Sequence, residues 1–456
     1  MPGQPLRVAI VGSGPAGFYA ADALLKSEEP SVEVDMIERL PTPWGLVRLG
    51  VAPDHPNIKS VSKAFERIAA RPGFRFFGNV EFGRDITHEE LTRQYDAIVY
   101  AVGAQTDRHL GIPGEDLPGS WPATAFVAWY NGHPDFQDLE FDLSGERAVV
   151  VGNGNVAVDV ARMLALTEEE LAPTDTTDPA IAAIVGSGIR EILVLGRRGP
   201  AQAAFTTPEL QELGELAGAD VVVDPADLDL DPASKAALAE DTPIARRNVD
   251  VLREYAARMP AGKPRRVTLR FCVSPVAILG EGKVEAVEVV RNALVADADG
   301  QIRAEPTADR EVIPCGIVFR SVGYHGVPLP GVPFDERRGT IPNDAGRVRD
   351  GDGERATGVY CTGWIKRGPS GVIGTNKKDA TETVEHLLED ARAGLLPRRD
   401  VDVPGLDDAL RLRGAEAVTY AGWEAIDATE RALGEPLGRP RVKLCSWDEL
   451  LAAARA

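Results

Sequence analysis

Two stretches of this chain show the same succession of apolar and polar positions. In the first, a short apolar run at residues 8–11 leads into a glycine-rich turn at 12–17, and helical spacing of apolar positions continues to Leu25. A second strand pattern follows at residues 32–38, with apolar residues at 32, 34, 36 and 37. Short apolar runs bounded by turn residues indicate buried strands, whereas apolar positions three or four apart indicate a helix. The stretch therefore predicts strand, turn, helix and strand, the βαβ unit of a doubly wound α/β sheet.

The glycines of this turn have the spacing of a dinucleotide-binding fingerprint. Gly12 allows a tight turn, Gly14 lets the backbone approach a pyrophosphate, and Gly17 lets the helix pack closely against the sheet. The helix N-terminus offers N–H groups and the positive end of its dipole to phosphates. Glu38 follows Gly17 by 21 residues, where a carboxylate can accept hydrogen bonds from a ribose. We predict a dinucleotide site, against the alternative of a glycine-rich turn without a ligand.

The second stretch, residues 147–195, repeats the pattern, with Ala157 in place of the third glycine. Its returning strand ends in Arg197 and Arg198 rather than in a carboxylate. Two guanidinium groups at this point can bind the 2′-phosphate of NADP, and a solvated pair at a strand end is the alternative. The two units together predict FAD in the first and NADPH in the second, with hydride transfer from nicotinamide to flavin.

Two more apolar strands, at residues 95–104 and 316–323, each close one of the two sheets. We therefore predict an FAD-binding domain in two parts, residues 1–107 and 324–456, which flank an NADP-binding domain at 108–323. Residues 397–456 predict a mixed helical extension with no assignable role.

Other segments are less regular. Residues 40–56 contain four prolines and two glycines and predict an ordered loop. Within it, His55 either faces a ligand or is a turn histidine with one backbone hydrogen bond. Residues 217–245 are acidic and predict a surface insertion without chemistry. Residues 59–70 predict a helix, and its buried face contains Ile58, Val61, Phe65 and Ile68.

A further anion site is predicted where three glycines, at 368, 371 and 374, precede a helix at residues 379–393. The positive end of that helix suits a delocalised anion such as a reduced flavin ring.

The composition narrows the class of protein. A net charge of −20 over 456 residues disfavours nonspecific nucleic-acid binding. No apolar run approaches the roughly 18 residues of a transmembrane helix, so no membrane insertion is expected. The first apolar run is a strand rather than a signal peptide, and we expect a cytoplasmic protein. A basic segment is either a solvated face or a docking patch for an acidic partner; it contains Arg246, Arg247, Lys263, Arg265, Arg266 and Arg270.

The cysteines are far apart and form no C-x-x-C pair; they are Cys272, Cys315, Cys361 and Cys445. This spacing disfavours a disulfide scaffold, an iron–sulfur site and a zinc site, so no metal is expected. A thiol-linked reductase needs a redox-active cysteine pair. We therefore expect single-electron transfer to a separate carrier.

These motifs together resemble the adrenodoxin reductase family, NADPH:ferredoxin reductases with a glutathione-reductase-like fold, and its mycobacterial members in particular. The likeness reaches to about Leu388. It is carried by Gly12-Ser13-Gly14-Pro15-Ala16-Gly17-Phe18-Tyr19, the loop at residues 43–56, Gly152-Asn153-Gly154-Asn155-Val156-Ala157, Arg197-Arg198-Gly199-Pro200 and Gly363-Trp364-Ile365-Lys366-Arg367-Gly368-Pro369. Trp364 supports this subfamily, because the wider superfamily usually has Asp at that position.

The resemblance implies a role for individual residues. For FAD, the implied contacts are Ala16, Glu38, Leu46, Val80, Trp364, Gly371, Val372 and Ile373. For NADPH, they are Asn153, Gly154, Asn155, Val156, Arg197, Arg198, Glu209 and Gly371. His55 and Glu212 match the charged pair of the family near flavin and nicotinamide, while an ordinary solvated acidic helix is the alternative for Glu209 and Glu212.

The expected function is that of a ferredoxin–NADP⁺ reductase, an oxidoreductase that receives a hydride from NADPH on FAD and reduces a ferredoxin-type iron–sulfur protein. One alternative is a flavin reductase module of a larger oxidoreductase, as in glutamate synthase small subunits, although those carry N-terminal cysteine clusters that this chain lacks. Another is a noncatalytic flavoprotein that binds or senses the nucleotide.

Overall fold

The computed structural model describes residues 4–240, 243–297, 300–371, 373–400 and 402–456. They form two compact units: unit 1 comprises Met1–Thr106 and Gly323–Ala456, and unit 2 comprises Asp107–Val322. The predicted domain boundaries each fall one residue after these.

The strands of the described residues are numbered along the chain. They are β1 (Leu6–Val11), β2 (Val32–Ile37), β3 (Phe74–Phe77), β4 (Ala97–Tyr100), β5 (Thr106–Asp107), β6 (Ser120–Pro122), β7 (Arg147–Val151), β8 (Glu191–Gly196), β9 (Ala219–Val223), β10 (Arg265–Phe271), β11 (Val273–Leu279), β12 (Ala286–Ala296), β13 (Ile302–Pro314), β14 (Ile317–Arg320), β15 (Tyr324–His325), β16 (Asn343–Asp344), β17 (Arg347–Arg349) and β18 (Arg355–Cys361).

The helices are numbered in the same way. They are α1 (Pro15–Leu24), α2 (Leu46–Leu49), α3 (Pro56–Lys59), α4 (Ser62–Ala69), α5 (His88–Gln94), α6 (Ala123–Tyr130), α7 (Asn155–Ala165), α8 (Glu168–Leu171), α9 (Asp178–Val185), α10 (Thr207–Leu213), α11 (Pro232–Glu240), α12 (Pro243–Ala257), α13 (Trp364–Arg367), α14 (Thr375–Arg392), α15 (Leu406–Leu412), α16 (Tyr420–Gly434) and α17 (Trp447–Ala454). Short 3₁₀ helices lie at Pro134–Phe136, Pro200–Gln202, Pro225–Leu228 and Glu435–Leu437.

The main sheet of unit 1 has the order β16-β17-β18-β4-β1-β2-β3 among the described strands. β1 pairs in parallel with β2 and β4, and β18 pairs in parallel with β4. Successive residues of β1 face opposite sides. Val8 and Ile10 pack in a core with Phe18 of α1, whereas Ala9 and Val11 pack in a second core. This burial on both faces is typical of a central parallel strand, and it places the glycine turn at the carboxyl end of the sheet.

The main sheet of unit 2 is parallel, in the order β6-β14-β7-β8-β10-β9. One face of β7 packs in a core with the helices of the unit, and Ala148 and Val150 lie there. The other face, with Val149 and Val151, packs in a core with Val287 and Val289 of β12. β12 is the middle strand of an antiparallel sheet, β11-β12-β13, which the sequence patterns did not predict. Two doubly wound sheets confirm the expected α/β class.

The acidic segment at residues 217–245 is not a surface insertion, so that prediction is wrong. It contains β9, which pairs in parallel with β10 from Ala219 to Val223 and adds an outer strand to the sheet. All of α11 and the start of α12 also lie in it, and residues 241–242 fall outside the described part. The three consecutive valines at 221–223 supply the apolar run that the surrounding acidic turns conceal.

The other corrections concern helix bounds. In place of one helix at residues 59–70, the chain forms α3 and α4; Ser60 is the C-cap of α3, and its hydroxyl donates to the backbone oxygen of Asn57. Phe65 and Ile68 are buried as predicted, but Ile58 is 40% exposed. The predicted loop at 40–56 contains α2 and the start of α3, and α14 begins four residues before the predicted start at 379.

The segment at 397–456, which had no assignable role, completes the core of unit 1. Its helices α15, α16 and α17 contribute Leu406, Trp423 and Leu450 to the cores on the two faces of the main sheet. Among the described helices, none is long and apolar enough to span a membrane. A cytoplasmic location stays a prediction.

Candidate cofactor sites

The first glycine turn joins the carboxyl end of β1 to α1. Gly12 has a φ of +102°, and a Cβ on it would lie 2.6 Å from the backbone oxygen of Ala101. A Cβ on Gly17 would lie 2.2 Å from the backbone oxygen of Gly12, so α1 packs against the turn only because residue 17 lacks a side chain. Around Gly14, no described atom outside its chain neighbours lies within 4 Å of an added Cβ. The turn therefore fits a pyrophosphate at the N-terminus of α1.

Glu38 directly follows β2, and its carboxylate is fixed on the glycine turn. Oε2 accepts from the Ser13 amide at 3.0 Å and from the Ser13 hydroxyl at 2.7 Å, and Oε1 accepts from the Leu40 amide at 3.0 Å. The backbone oxygen of Glu38 accepts from the amide of Val80, which is buried. Each carboxylate oxygen has more than one acceptor site, so Glu38 can also accept from a ribose hydroxyl.

The loop after Glu38 packs onto the same turn. The Trp44 amide donates to the backbone oxygen of Ser13 at 3.0 Å. A Cβ on Gly45 would lie 2.9 Å from Cα of Gly14, so the two backbones are in close contact. Leu46, the next residue, is 38% exposed although it is apolar. This loop therefore forms one wall of the site, with an apolar side chain available to a ligand.

The turn after β18 lies against the start of α1. A Cβ on Gly363 would lie 2.6 Å from Cβ of Ala16. The amide of Gly363 donates to Asp379 of α14 at 2.5 Å, which fixes the turn on that helix. The indole Nε1 of Trp364 is buried, and no described protein atom accepts its hydrogen. A buried donor of this kind fits an acceptor on a bound ring system.

Two of the three glycines before α14, Gly368 and Gly371, have left-handed backbone, whereas Gly374 is right-handed helical. Gly371 has a φ of +79°, and Gly374 precedes the helix without a side-chain cap. Ile373 packs beside the core that contains the α1 residues. Val372, also predicted to contact FAD, lies outside the described residues.

The glycine turn of unit 2 repeats the geometry of the first. Gly152 has a φ of +135°, and a Cβ on it would lie 2.1 Å from the backbone oxygen of Ser321. Gly154, like Gly14, has no described atom within 4 Å of an added Cβ apart from its chain neighbours. Ala157 is fully buried, so a small residue is required there. α7 therefore presents an open N-terminus that fits a second pyrophosphate.

Two asparagines hold the segment at 204–206 against this turn. The backbone oxygen of Asn153 accepts from the amide of Phe205 at 3.1 Å, and Oδ1 of Asn155 accepts from the amide of Thr206 at 2.7 Å. Val156, the next residue of α7, packs beside the core. The two asparagines therefore shape the turn, while contact of residues 153–156 with NADPH stays a prediction.

Arg197 and Arg198 follow the carboxyl end of β8. The Asn292 side chain donates to the backbone oxygen of Arg197 at 2.8 Å, and the Cys272 amide donates to the backbone oxygen of Arg198 at 3.0 Å. Neither guanidinium has a hydrogen-bond or ion-pair partner within the described part of the chain. Burial and the charge of Arg197 lower the pKa of Arg198, which is half-buried, whereas Arg197 is exposed. Two adjacent uncompensated cations form a site for an anion such as a phosphate.

Glu209 and Glu212 share one face of α10, as predicted, but they are not an ordinary solvated pair. Glu209 is buried, and Arg162 of α7 donates to Glu209 at 3.5 Å and to Glu212 at 3.0 Å. Arg162 also donates to Asp159 at 2.9 Å. Arg162 thus places both carboxylates, a role that the sequence reasoning missed. The Asp159–Arg162 spacing on the helix next to the glycine turn was the available signal.

His55 precedes α3 and is buried, with its amide donating to the backbone oxygen of Ala52 at 3.0 Å. It belongs to unit 1, whereas Glu212 belongs to unit 2. The pairing of His55 with Glu212 stays a prediction.

Known proteins match this chain over nearly its full length. Residues 6–172 match the family model described as pyridine nucleotide-disulphide oxidoreductase. Over 460 residues the chain is 53% identical to the NADPH-ferredoxin reductase FprA of Mycobacterium tuberculosis, in an alignment that covers 98% of this chain and 99% of that protein. The chain belongs to the NADPH-ferredoxin reductase family.

Other members of the family match this chain in sequence and in structure. The mitochondrial NADPH:adrenodoxin oxidoreductase of Homo sapiens is 44% identical over 461 residues, which cover 98% of this chain and 91% of that protein. The solved structure of Mycobacterium tuberculosis FprA in complex with NADPH has a TM-score of 0.93 and 51% identity, covering 99% of this chain and all of that one. The predicted family and its glutathione-reductase-like α/β fold are confirmed.

The four cysteines of this family member are free thiols. Burial raises the pKa of Cys272 and Cys445 to about 11, and that of Cys315 to about 12. Burial also raises the pKa of Cys361. All four are therefore thiols rather than thiolates at neutral pH, which makes them poor nucleophiles.

The basic segment of unit 2 makes internal contacts. Arg265 donates to the backbone oxygens of Leu164 and Ile184, which lie at the carboxyl ends of α7 and α9. Lys263 donates to the backbone oxygen of Leu216. Lys263 and Arg265 therefore form neither a solvated face nor a docking patch, the two interpretations that the sequence offered. Their side chains stabilise helix ends and a loop within the unit.

Proposed function

We propose that this protein transfers a hydride from NADPH to FAD and passes the electrons singly to a ferredoxin-type iron–sulfur protein. The observation that carries the proposal is the uncompensated pair Arg197 and Arg198 after β8, in a chain whose other dinucleotide unit has the carboxylate of Glu38 directly after β2. Full-length relatives named as NADPH-ferredoxin reductase and NADPH:adrenodoxin oxidoreductase confirm the activity, both cofactors and the class of partner expected from the sequence.

FAD supplies a ring that accepts a hydride and releases electrons one at a time. We assign it to unit 1. Gly14 and the N-terminus of α1 hold its pyrophosphate, and Glu38 holds a ribose. Leu46 and Trp364 contact the ring system, with the Trp364 indole as a donor.

NADPH is assigned to unit 2. The open backbone at Gly154 receives its pyrophosphate, and Arg198, with Arg197, binds the 2′-phosphate. Glu209, placed by Arg162, contacts the nucleotide. From the family resemblance, we assign His55 of unit 1 and Glu212 of unit 2 a role in the charge balance of hydride transfer.

The test is an anaerobic titration of the purified protein, followed by its visible spectrum. The flavin band should bleach readily with NADPH and poorly with NADH, and the reduced protein should then reduce an added ferredoxin. A colourless protein contradicts the assignment of FAD. A yellow protein that NADPH leaves unbleached would indicate a flavoprotein that binds or senses the nucleotide.

A further inference from the structure

The C-terminal segment reaches back to the loop that packs on the first glycine turn. Trp44 of that loop contacts Trp423 of α16 edge to face, with ring centroids 4.8 Å apart. The guanidinium of Arg48 lies over the same Trp423 ring, 5.2 Å from its centroid. The indole of Trp423 therefore contacts both Trp44, in the loop that packs on the glycine turn, and Arg48 of α2.

Seven residues further along α16, a buried ion pair makes a second attachment. Arg48 donates to both oxygens of Glu430, at 2.8 and 2.5 Å. The Arg48 side chain is 3% exposed, and that of Glu430 is fully buried. Seven residues are two turns of helix, so Trp423 and Glu430 share the face that meets the loop. The bidentate geometry fixes the direction of the arginine as well as its distance.

The segment after α16 completes the ion pair. Glu430 also accepts from Arg441 at 3.2 Å and from the amide of Leu444 at 2.9 Å, and Lys443 donates to the backbone oxygen of Arg48 at 3.3 Å. Burial by itself would raise the pKa of Glu430, but the charges of Arg48 and Arg441 and these hydrogen bonds lower it below its ordinary value. Glu430 is thus a buried carboxylate with both oxygens occupied.

A buried ion pair of this kind contributes little net stability, because desolvation of both charges offsets their attraction. What it does contribute is a defined geometry. Here the geometry is that of a short loop held at two points: Trp44 and Gly45 contact the glycine turn, and Arg48 is attached to α16. Leu46 lies between the two points, with its side chain partly exposed.

We propose that Glu430 is a positioning residue for FAD, which acts through Arg48 to hold the loop at 44–48 against the flavin. The C-terminal segment at 420–444 thereby becomes part of the FAD site without touching the cofactor. This inference rests on the assignment of FAD to unit 1. It gives a function to a segment that sequence reasoning left unassigned.

The first test compares two identical substitutions at buried arginine–glutamate pairs. Glu430→Gln removes the charge at this pair, and Glu115→Gln removes it at the Arg320–Glu115 pair of unit 2, which is 2.9 Å long with side chains 7% and 6% exposed. FAD should dissociate from diluted Glu430→Gln holoprotein at least ten times faster than from wild type, and from Glu115→Gln within a factor of two. The visible circular dichroism of the bound flavin should change only in Glu430→Gln. Equal dissociation rates in the two variants would overturn the proposal.

Two further measurements cover the case in which Glu430→Gln does not fold. The double variant Arg48→Met with Glu430→Leu replaces the pair by apolar side chains, a change that proteins often tolerate, and the same tenfold acceleration is expected. In the unaltered chain, adding FAD to the apoprotein should slow amide hydrogen exchange in α16 as well as at residues 44–48. Unchanged exchange in α16 would also overturn the proposal. A wild-type protein that binds no FAD would instead contradict the proposed function.

Discussion

Arg198 should account for most of the preference for NADPH over NADH. A hydrogen bond to a charged group contributes about 1.5–3 kcal/mol, toward the upper end where the charge is poorly solvated. Arg198 is half-buried and beside Arg197, and both features lower its pKa, so its cation is poorly compensated in the absence of a phosphate. Arg198→Ala should therefore cost about 2–3 kcal/mol with NADPH, or about 30- to 150-fold in kcat/KM at about 1.4 kcal/mol per tenfold.

Arg197 should matter less, because its side chain is exposed. Exposed ion pairs contribute about 0.2–1 kcal/mol, so Arg197→Ala should lower kcat/KM for NADPH by no more than about fivefold. With NADH, which lacks the 2′-phosphate, both variants should stay within about twofold of wild type.

The assay is steady-state reduction of an artificial electron acceptor with each nucleotide, at one fixed ionic strength because salt screens exposed charges. Arg266→Ala is the matched control: it removes one exposed arginine from β10, near the end of the sheet opposite to Arg197. Arg266→Ala should leave kcat/KM unchanged with both nucleotides. If Arg198→Ala lowers kcat/KM equally for NADPH and NADH, or if Arg197→Ala lowers kcat/KM for NADPH more than Arg198→Ala does, the reasoning from burial and uncompensated charge is refuted.

Three other predictions follow from the same sites. Gly14→Ala should lower FAD retention but change the thermal midpoint of the apoprotein by only a few degrees. Gly17→Ala should lower that midpoint markedly, because its Cβ would lie 2.2 Å from a backbone oxygen. Equal midpoints in the two variants would contradict this prediction. His55→Ala should slow flavin reduction by NADPH in stopped-flow measurements with FAD still bound, and an unchanged rate would remove His55 from the mechanism. Iodoacetamide at pH 8 should leave turnover intact, since a thiol such as Cys272, with a pKa of about 11, is only about one part in a thousand thiolate there; rapid inactivation would argue for a reactive cysteine.

The sequence predicted the elements whose signal is local. The apolar run of β1 and the glycines that follow it identify a βαβ unit from fewer than forty residues, because strand, glycine spacing and helix are all formed by consecutive residues. The same holds for β7 and its turn. The position of Arg198 was also predictable, since it depends only on where β8 ends.

What the sequence could not predict depends on residues distant in the chain. Arg48 and Glu430 are separated by 382 residues, and nothing in either local pattern says that they pair. Arg265 looked like a surface charge in a basic segment, but its acceptors lie about 80 and 100 residues earlier. The edge strand β9 was missed for a different reason: three valines among acidic turn residues give too short a run for periodicity to detect.

The discontinuous chain of unit 1 has a consequence for how the protein is made. Residues 1–106 leave the ribosome before unit 2, but β18, α14 and α16 come from beyond residue 323. At about 10 residues per second, the chain from residue 107 to the start of β18 at Arg355 takes roughly 25 seconds to synthesise, and the continuous unit 2 can fold in that interval. Until β18 is made, β4 is an uncovered edge of the nascent sheet, open to mispairing with other chains. With FAD assigned to unit 1 as proposed, its loading should be a late event, and a chaperone that shields this edge during synthesis should raise the yield of yellow protein.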